Sequence, residues 1–116
     1  MAVCAVGDRW SGREDLCAAR ACQGSRPLLL THNPDTALDM RAPQVKLVLA
    51  AHTHGGQIRI PWLYKLVLPV QGPVDKGLHA PVTPGAPPVF VTAGVGETAL
   101  PLRLFNPPVI DVLTPQ

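Results

Sequence analysis

The stretch Leu47-Val-Leu-Ala-Ala-His52-Thr-His54-Gly-Gly-Gln57 decides the fold. It begins as an apolar strand and continues into a loop that contains two histidines and two glycines. In an extended chain, residues i and i+2 point to the same face, so His52 and His54 can be aimed at one place. Imidazole is a frequent metal ligand, and the glycines allow a sharp turn or a close approach to a ligand. The stretch therefore predicts a metal site at a strand end, with a pair of solvated loop histidines as the alternative.

Length and composition point to one globular domain with a modest core. The chain has 116 residues, of which 47% are hydrophobic, and its 14 prolines favour short strands joined by turns over long helices. The net charge is +2 and the basic residues are scattered, so nucleic-acid binding is not indicated. No apolar run approaches the ~18 residues of a membrane span, and no targeting segment is recognised. A cytoplasmic or peripheral membrane location is favoured.

The cysteines Cys4, Cys17 and Cys22 are odd in number. Their spacings match neither a zinc ribbon nor a redox CxxC motif. The sequence therefore predicts reduced, mostly buried thiols in a reducing compartment.

Strands and helices alternate in the first half of the chain. Apolar runs predict strands over residues 2–6, 27–31 and 45–51. The capping-box pattern Ser11-Gly-Arg-Glu14 predicts a helix over residues 12–22, with Gly24 as its stop. Asn33 as N-cap and Pro34 at the first helical position predict a short helix through Met40. This alternation indicates the α/β class with a largely parallel sheet.

The second half of the chain has a different texture. Residues 57–60 alternate polar and apolar side chains like a half-exposed strand, and residues 61–88 read as a long loop, with a short strand or turn near 66–70. Further strands are predicted over residues 89–93, 102–105 and 109–113.

Three histidines follow predicted strands: His32, His52 and His54. In α/β sheets, ligands gather at the carboxyl ends of the strands. Three imidazoles can hold one zinc ion with an open position. They can equally form half of a two-metal site, in which His52 and His54 face different ions roughly 3.5–4 Å apart.

Two segments that contain these histidines resemble motifs of the calcineurin-like metallophosphoesterase superfamily, and most closely those of its bacterial YkuE/YaeI-type branch. They are Thr31-His32-Asn33-Pro34-Asp35 and Ala51-His52-Thr53-His54-Gly55-Gly56-Gln57-Ile58. The segments 90–96 and 100–108 are similar to the carboxyl-terminal region of that branch. The resemblance implies a β-sandwich flanked by helices, of which residues 1–116 form the carboxyl-terminal part, about half of a four-layer fold.

The resemblance also implies the chemistry of the site. His32 and His52 match ligands of one metal and His54 a ligand of the other, with manganese, zinc or iron as the two divalent ions. The family hydrolyses phosphate esters with a metal-activated water. The sequence leaves the substrate open among head-group, nucleotide and protein phosphates.

Two departures from the family pattern stand out. Ala51 replaces the glycine of Gly-His-x-His, and the amino-terminal motifs Asp-x-His, Gly-Asp-x-x-Asp and Gly-Asn-His are not found. Asp8 follows Gly7 like the start of Gly-Asp-x-x-Asp, but Ser11 stands at the second aspartate, so Asp8 is predicted to be a turn residue. The expected consequence is a site without its bridging carboxylate.

For the other acids and one further histidine, we predict structural or solvated roles rather than roles in the site. Asp35 and Asp39 are predicted to cap or solvate the short helix. Glu97 is expected at the surface, and Asp75 and Asp111 lie in no motif. His79 is predicted to be a plain loop histidine in the proline-rich segment.

The leading hypothesis is a metallophosphoesterase domain that lacks its amino-terminal half, with a phosphate ester as substrate and membrane association possible in the full-length protein. The alternatives are a non-catalytic truncated product, or a half-domain that needs a partner chain, and a self-sufficient single-zinc site. Metal stoichiometry separates these hypotheses, since two ions per chain indicate a complete site, one indicates the three-histidine zinc site and none indicates an inert fragment.

We predict that the isolated chain hydrolyses phosphate esters poorly or not at all, because three neutral imidazoles leave the charge of two divalent ions uncompensated. The measurement is phosphodiesterase and phosphomonoesterase turnover of the chain with added manganese. Strong turnover that His54→Ala abolishes would show this prediction to be wrong.

Overall fold

The computed structural model describes residues 2–22, 27–42 and 44–114 and is built on one five-stranded sheet. The strands are β1 (Val3–Ala5), β2 (Leu28–Leu30), β3 (Leu47–Ala50), β4 (Gly77–His79) and β5 (Val89–Val91). Their spatial order is β1-β2-β3-β5-β4. All neighbours pair in parallel except β4, which runs antiparallel at the edge. The predicted α/β class with a largely parallel sheet is confirmed.

The core lies on one face of this sheet. Leu29, Val48 and Val89 are register partners on three adjacent strands, and each is at most 1% exposed. Met40 and Val45 pack into the same cluster from the connection between β2 and β3. Since side chains alternate across a strand, the neighbouring positions must point to the opposite face.

The opposite face of the sheet is apolar and partly open to solvent. A single register row crosses all five strands through Ala5, Leu30, Leu49, Phe90 and Leu78. Leu30 is 40% exposed and Leu78 is 70% exposed. Sheets built of parallel strands are normally covered on both faces. Here the described residues cover this row only in part, chiefly where Leu30, Leu49 and Phe90 share a cavity with Val109 and Ile110.

The first helix differs from its prediction. Helix α1 spans Leu16–Arg20, and its N-cap is Asp15, whose side chain accepts a hydrogen bond from the Ala18 amide at 2.9 Å. Ser11 instead donates to the Asp8 carbonyl oxygen, because residues 8–13 form a turn that delays the helix. The predicted capping box and start were therefore wrong, and Gly24 lies outside the described residues.

The short second helix is confirmed. Helix α2 spans Thr36–Asp39 and follows an Asx turn in which the Asn33 side chain accepts a hydrogen bond from the Asp35 amide at 2.9 Å. Asn33 thus acts at the turn before the helix, and the N-cap position itself is Asp35.

The second half of the chain contains less strand than predicted. Residues 58 and 104 form an isolated parallel bridge, and residues 109–113 are irregular, since Pro107 and Pro108 cannot donate to a sheet. Conversely, the predicted loop over 61–88 contains β4, so His79 lies in an edge strand. A short strand or turn was predicted near residues 66–70, and the structure has a 3-10 turn slightly earlier, at Tyr64–Leu66.

The cysteines also depart from expectation. Cys4 and Cys22 form a disulfide with a Cα–Cα distance of 6.2 Å, because α1 returns the chain beside β1. Cys17 is exposed on α1. The prediction of reduced, mostly buried thiols was wrong. Within the described ranges, no helix has the length and apolar character needed to cross a bilayer.

Candidate metal centre

The carboxyl ends of β2 and β3 bring two imidazoles together. The amide of Ala51 donates to the carbonyl oxygen of His32 at 3.1 Å, which continues the pairing one residue beyond β3 and two residues beyond β2. The ring atoms His32 Nε2 and His52 Nδ1 are 2.9 Å apart. The expectation that the two strands deliver these rings to the same edge of the sheet is confirmed.

This pair has the spacing of two metal ligands. Nitrogens bonded to one ion at about 2.1 Å, with an angle near 90°, lie about 3 Å apart. Neutral imidazoles suit zinc, manganese or iron, so the donors present fit the metals that the resemblance implies.

The surroundings of His52 favour its neutral form. Burial lowers the pKa of His52, and the neighbouring His32 lowers it further, against an opposing effect of Asp8. The Trp10 ring stands edge-on to the His52 ring at a centroid distance of 4.5 Å and covers one side of it. A neutral ring keeps a lone pair that a metal can accept.

His54 is oriented by the turn after β5. Its Nδ1 atom lies 3.0 Å from the carbonyl oxygen of Gly96, and since a carbonyl only accepts, Nδ1 carries the proton. The lone pair of Nε2 then faces the Thr98 hydroxyl at 3.0 Å, and that hydroxyl donates. Metal-binding histidines commonly donate their other ring N–H to a backbone carbonyl in this way.

The three imidazoles do not form one cluster. His32 and His52 form a pair, whereas both ring nitrogens of His54 bond to the segment 96–98. Across the part of the chain that the structure describes, no three His, Cys, Asp or Glu side chains are grouped to hold one ion. The hypothesis of a single zinc ion shared by all three histidines is therefore not supported, and the arrangement is two plus one.

The backbone of this loop is held in an unusual conformation. His52 and His54 have φ values of 61° and 50°, in the left-handed region that side chains other than glycine rarely adopt. Gly55 and Gly56 follow with 63° and 78°. Strain of this kind persists only where the surroundings enforce it, and it is concentrated at functional sites.

Two residues that the sequence analysis did not single out enforce this loop from the carboxyl-terminal segment. Asn106 is 2% exposed, and its amide donates to the His54 carbonyl oxygen at 2.6 Å. Arg103 donates to the carbonyl oxygens of Ala93 and Gly96, which link the loop to the turn after β5. Both residues fall in the segment 100–108 that carried part of the family resemblance, and that resemblance was the only signal that could have found them.

A second polar network lies behind the glycines. Arg59 donates to the Gly55 carbonyl oxygen at 2.8 Å and to Asp75 Oδ2 at 2.8 Å. The Tyr64 hydroxyl donates to the same carboxylate oxygen at 2.9 Å, and its ring lies under the Arg59 guanidinium. The Thr53 hydroxyl donates to the Asp75 carbonyl oxygen at 2.5 Å. Asp75, which the sequence placed in no motif, therefore anchors the loop.

The remaining acids have structural partners. Asp35 occupies the N-cap position of α2, but its predicted solvation was wrong, because it is 3% exposed and its side chain accepts hydrogen bonds from the amides of Gln71 and Gly72. Asp39 pairs with Arg9, and Asp111 accepts from the Thr92 hydroxyl at 2.6 Å. Glu97 is exposed, as expected.

Asp8 lies in the turn after β1, as predicted, and its Oδ2 atom accepts a hydrogen bond from the Ser11 amide at 2.9 Å. Its Oδ1 atom is buried without a hydrogen-bond partner within the described ranges.

Comparison with curated proteins identifies the family. Over 88 residues the chain is 40% identical to the uncharacterized metallophosphoesterase YkuE of Bacillus subtilis, which covers 75% of this chain and 30% of that protein. Over 109 residues it is 36% identical to the phosphodiesterase YaeI of Escherichia coli, with 93% and 38% covered. Over 84 residues it is 36% identical to YkoQ, another uncharacterized metallophosphoesterase of Bacillus subtilis, with 70% and 30% covered.

The chain therefore belongs with the metallophosphoesterases, and the predicted resemblance is confirmed. It spans between 30% and 38% of the length of these three relatives. Neither a family model nor a solved structure matches the chain.

The packing around Gly55 predicts that Gly55→Ala destabilises the protein more than Gly94→Ala does. Both glycines have φ values near 60°, which costs a substituted residue about 1 kcal/mol. A Cβ atom at Gly55 would also lie 2.8 Å from the Asn106 amide and 2.9 Å from Ala93 Cβ, whereas Gly94 faces open space. We expect a loss of roughly 2–4 kcal/mol against about 1 kcal/mol in urea unfolding. Equal losses would contradict the crowding at Gly55.

The environment of Asp75 predicts a pH-dependent contribution to stability. Burial alone raises the pKa of Asp75, but the hydrogen bonds from Tyr64 and the Lys76 amide, and the charge of Arg59, lower it overall. A carboxylate with a lowered pKa stabilises the fold above its unfolded pKa of about 3.9 and loses this effect as the pH falls through its folded pKa.

We therefore expect Asp75→Asn to cost roughly 1–3 kcal/mol at pH 7, and the deficit to shrink below about pH 4. Urea unfolding at pH 7 and pH 3 measures this, with the exposed Asp111→Asn as the control. A deficit that does not change with pH would rule out the linkage.

Proposed function

We propose that this chain supplies the histidine side of a two-metal phosphoesterase site, with His32 and His52 as ligands of one ion and His54 as a ligand of the other. The 2.9 Å approach of His32 Nε2 to His52 Nδ1 is the observation that carries this proposal. The orientation of His54 by the Gly96 carbonyl, which leaves the lone pair on Nε2, supports it further, and a metal ion there would displace the hydrogen bond from the Thr98 hydroxyl.

Divalent ions bound there supply Lewis-acid polarisation of a phosphate ester and lower the pKa of a water molecule. The chain contributes the geometry. The pair at the ends of β2 and β3 brings two ring nitrogens together, and the polar networks of Arg103, Asn106 and Asp75 keep the loop of His54 in its strained conformation. Manganese, zinc and iron all accept such nitrogens.

The substrate class is the phosphate ester. The relative YaeI is named a phosphodiesterase, which favours a phosphodiester. Three imidazoles bring no negative charge to two divalent ions, and we propose that carboxylate ligands come from sequence outside residues 1–116. Residues 1–116 are accordingly proposed to be the carboxyl-terminal part of a metallophosphoesterase domain, without activity of their own. Peripheral association of the full-length protein with a membrane is part of the same hypothesis.

The open sheet face supports the proposal of an incomplete domain. The row through Leu30, Leu49, Phe90 and Leu78 is apolar on every strand that it crosses, and a further layer would bury it. The same observation favours the second candidate, a non-catalytic half-domain that functions only when a partner chain covers this face. The two candidates differ in metal binding.

The test is calorimetric titration of the full chain and its variants with Zn²⁺ and Mn²⁺. We expect His32→Ala and His52→Ala each to weaken binding by at least ~10-fold, and the double variant to be no weaker than either, because one ion loses its paired ligands. We expect His54→Ala to act independently of that pair. His79→Ala is the matched control, since His79 lies in β4 and its Nε2 atom approaches the Lys76 carbonyl oxygen.

Unchanged affinity in the variant that lacks His32, His52 and His54 would overturn the proposed site and leave the non-catalytic half-domain as the better candidate. Independent effects of His32→Ala and His52→Ala would contradict their pairing on one ion.

A further inference from the structure

A cavity of about 380 Å³ opens beside the ring of His54. The 52–57 loop, the segment 67–69 and the segment 98–100 form its walls. Its apolar lining residues are Ile58, Val67, Leu68, Pro69, Ala99 and Leu100. Apart from the imidazole of His54, none of the side chains that line it is ionisable. A group held at His54 would therefore have an apolar chamber directly at its side.

The polar side chains that line this cavity are already hydrogen-bonded within the protein. The Gln57 amide donates to the carbonyl oxygens of Thr98, Leu100 and Leu102, and its oxygen accepts from the Thr98 amide at 2.8 Å. The Thr98 hydroxyl bonds to His54, and the Thr53 hydroxyl bonds to the Asp75 carbonyl oxygen. The Gln57 and Thr53 side chains are thus committed before any ligand arrives, and a metal ion on His54 would release only the Thr98 hydroxyl.

This saturation selects the chemistry of the ligand. A sugar or a nucleobase in the cavity would leave its own donors and acceptors unpaired, which costs binding free energy. An aliphatic or aryl group loses nothing there and removes its own apolar surface from water. The cavity therefore discriminates in favour of apolar groups.

We propose that the cavity receives the apolar organic group of a phosphate ester whose phosphate lies at His54. This inference rests on the proposed function for the position of the phosphate, and it adds the substrate class: an amphiphilic phosphate ester. The route into the cavity is consistent with such a ligand. Val67 lines the cavity and is 72% exposed, and the preceding Leu66 and Trp62 are 81% and 88% exposed.

The experiment measures the affinity of the full chain for methyl, butyl and octyl phosphate by calorimetry, with Zn²⁺ present. We expect octyl phosphate to bind at least ~10-fold more tightly than methyl phosphate, because each buried methylene adds to the affinity. Leu100→Asn should remove most of this ratio. Leu102→Asn is the matched control, because both leucines are exposed and both carbonyl oxygens accept from Gln57, but only Leu100 lines the cavity.

A second arm replaces the alkyl phosphates by phosphatidylcholine vesicles with phosphatidic acid. Vesicle binding that Leu100→Asn abolishes assigns the ligand to a lipid head group, whereas binding of monomeric octyl phosphate alone assigns it to a free ester. Either result supports the cavity proposal.

Equal affinity for methyl and octyl phosphate, or equal effects of the two leucine variants, would overturn the proposal. The failure of the proposed function is distinguishable from this outcome. In that case His32→Ala, His52→Ala and His54→Ala leave the affinity for methyl phosphate unchanged, while the dependence on chain length persists.

Discussion

The parallel pairing of β2 with β3 is the constraint on which the rest of the structure depends. Leu30 and Leu49 are register partners. Two residues further along each chain, the Ala51 amide donates to the His32 carbonyl oxygen. Backbone hydrogen bonds therefore deliver the two imidazoles to one point, where their ring nitrogens approach to 2.9 Å, within hydrogen-bond distance. A slip of one residue would send one of these histidines to the opposite face of the sheet.

The loop beyond β3 has a backbone conformation that its own residues disfavour, so contacts from elsewhere in the chain have to hold it. His52 and His54 both have positive φ values, which an isolated peptide would avoid. The hydrogen bonds from Asn106 to the His54 carbonyl oxygen and from Arg59 to the Gly55 carbonyl oxygen offset this strain. Asp75 in turn holds Arg59, so that a carboxylate remote from the imidazoles sets where His54 stands.

The two faces of the sheet differ in how far their apolar side chains are buried. Leu29, Val48 and Val89 on one face have essentially no exposed surface, whereas Leu30 and Leu78 on the other face are 40% and 70% exposed. The histidines lie at the edge between these faces. The chain spans 30% to 38% of the relatives' length, and among the described residues no three His, Cys, Asp or Glu side chains are grouped to hold one ion.

Much of the architecture was predictable from local pattern. The strands β1, β2, β3 and β5 and the short helix α2 were expected from apolar runs and turn residues. The edge strand β4 was not, because Gly77-Leu-His79 has no strand pattern of its own and is extended by pairing with β5. The start of α1 was misplaced for a related reason, since the turn over residues 8–13 engages Ser11 before a helix can begin.

The sequence by itself determined the family, the α/β class and the identity of the three candidate ligands, because these depend on residue types at short spacings. Only the tertiary structure decided that His32 and His52 pair while His54 turns towards Gly96 and Thr98. It also decided that Arg103, Asn106 and Asp75 hold the loop and that an apolar cavity lies beside it. These relations join residues 10 to 52 positions apart, and such contacts are set by packing and backbone pairing rather than by neighbours in the chain.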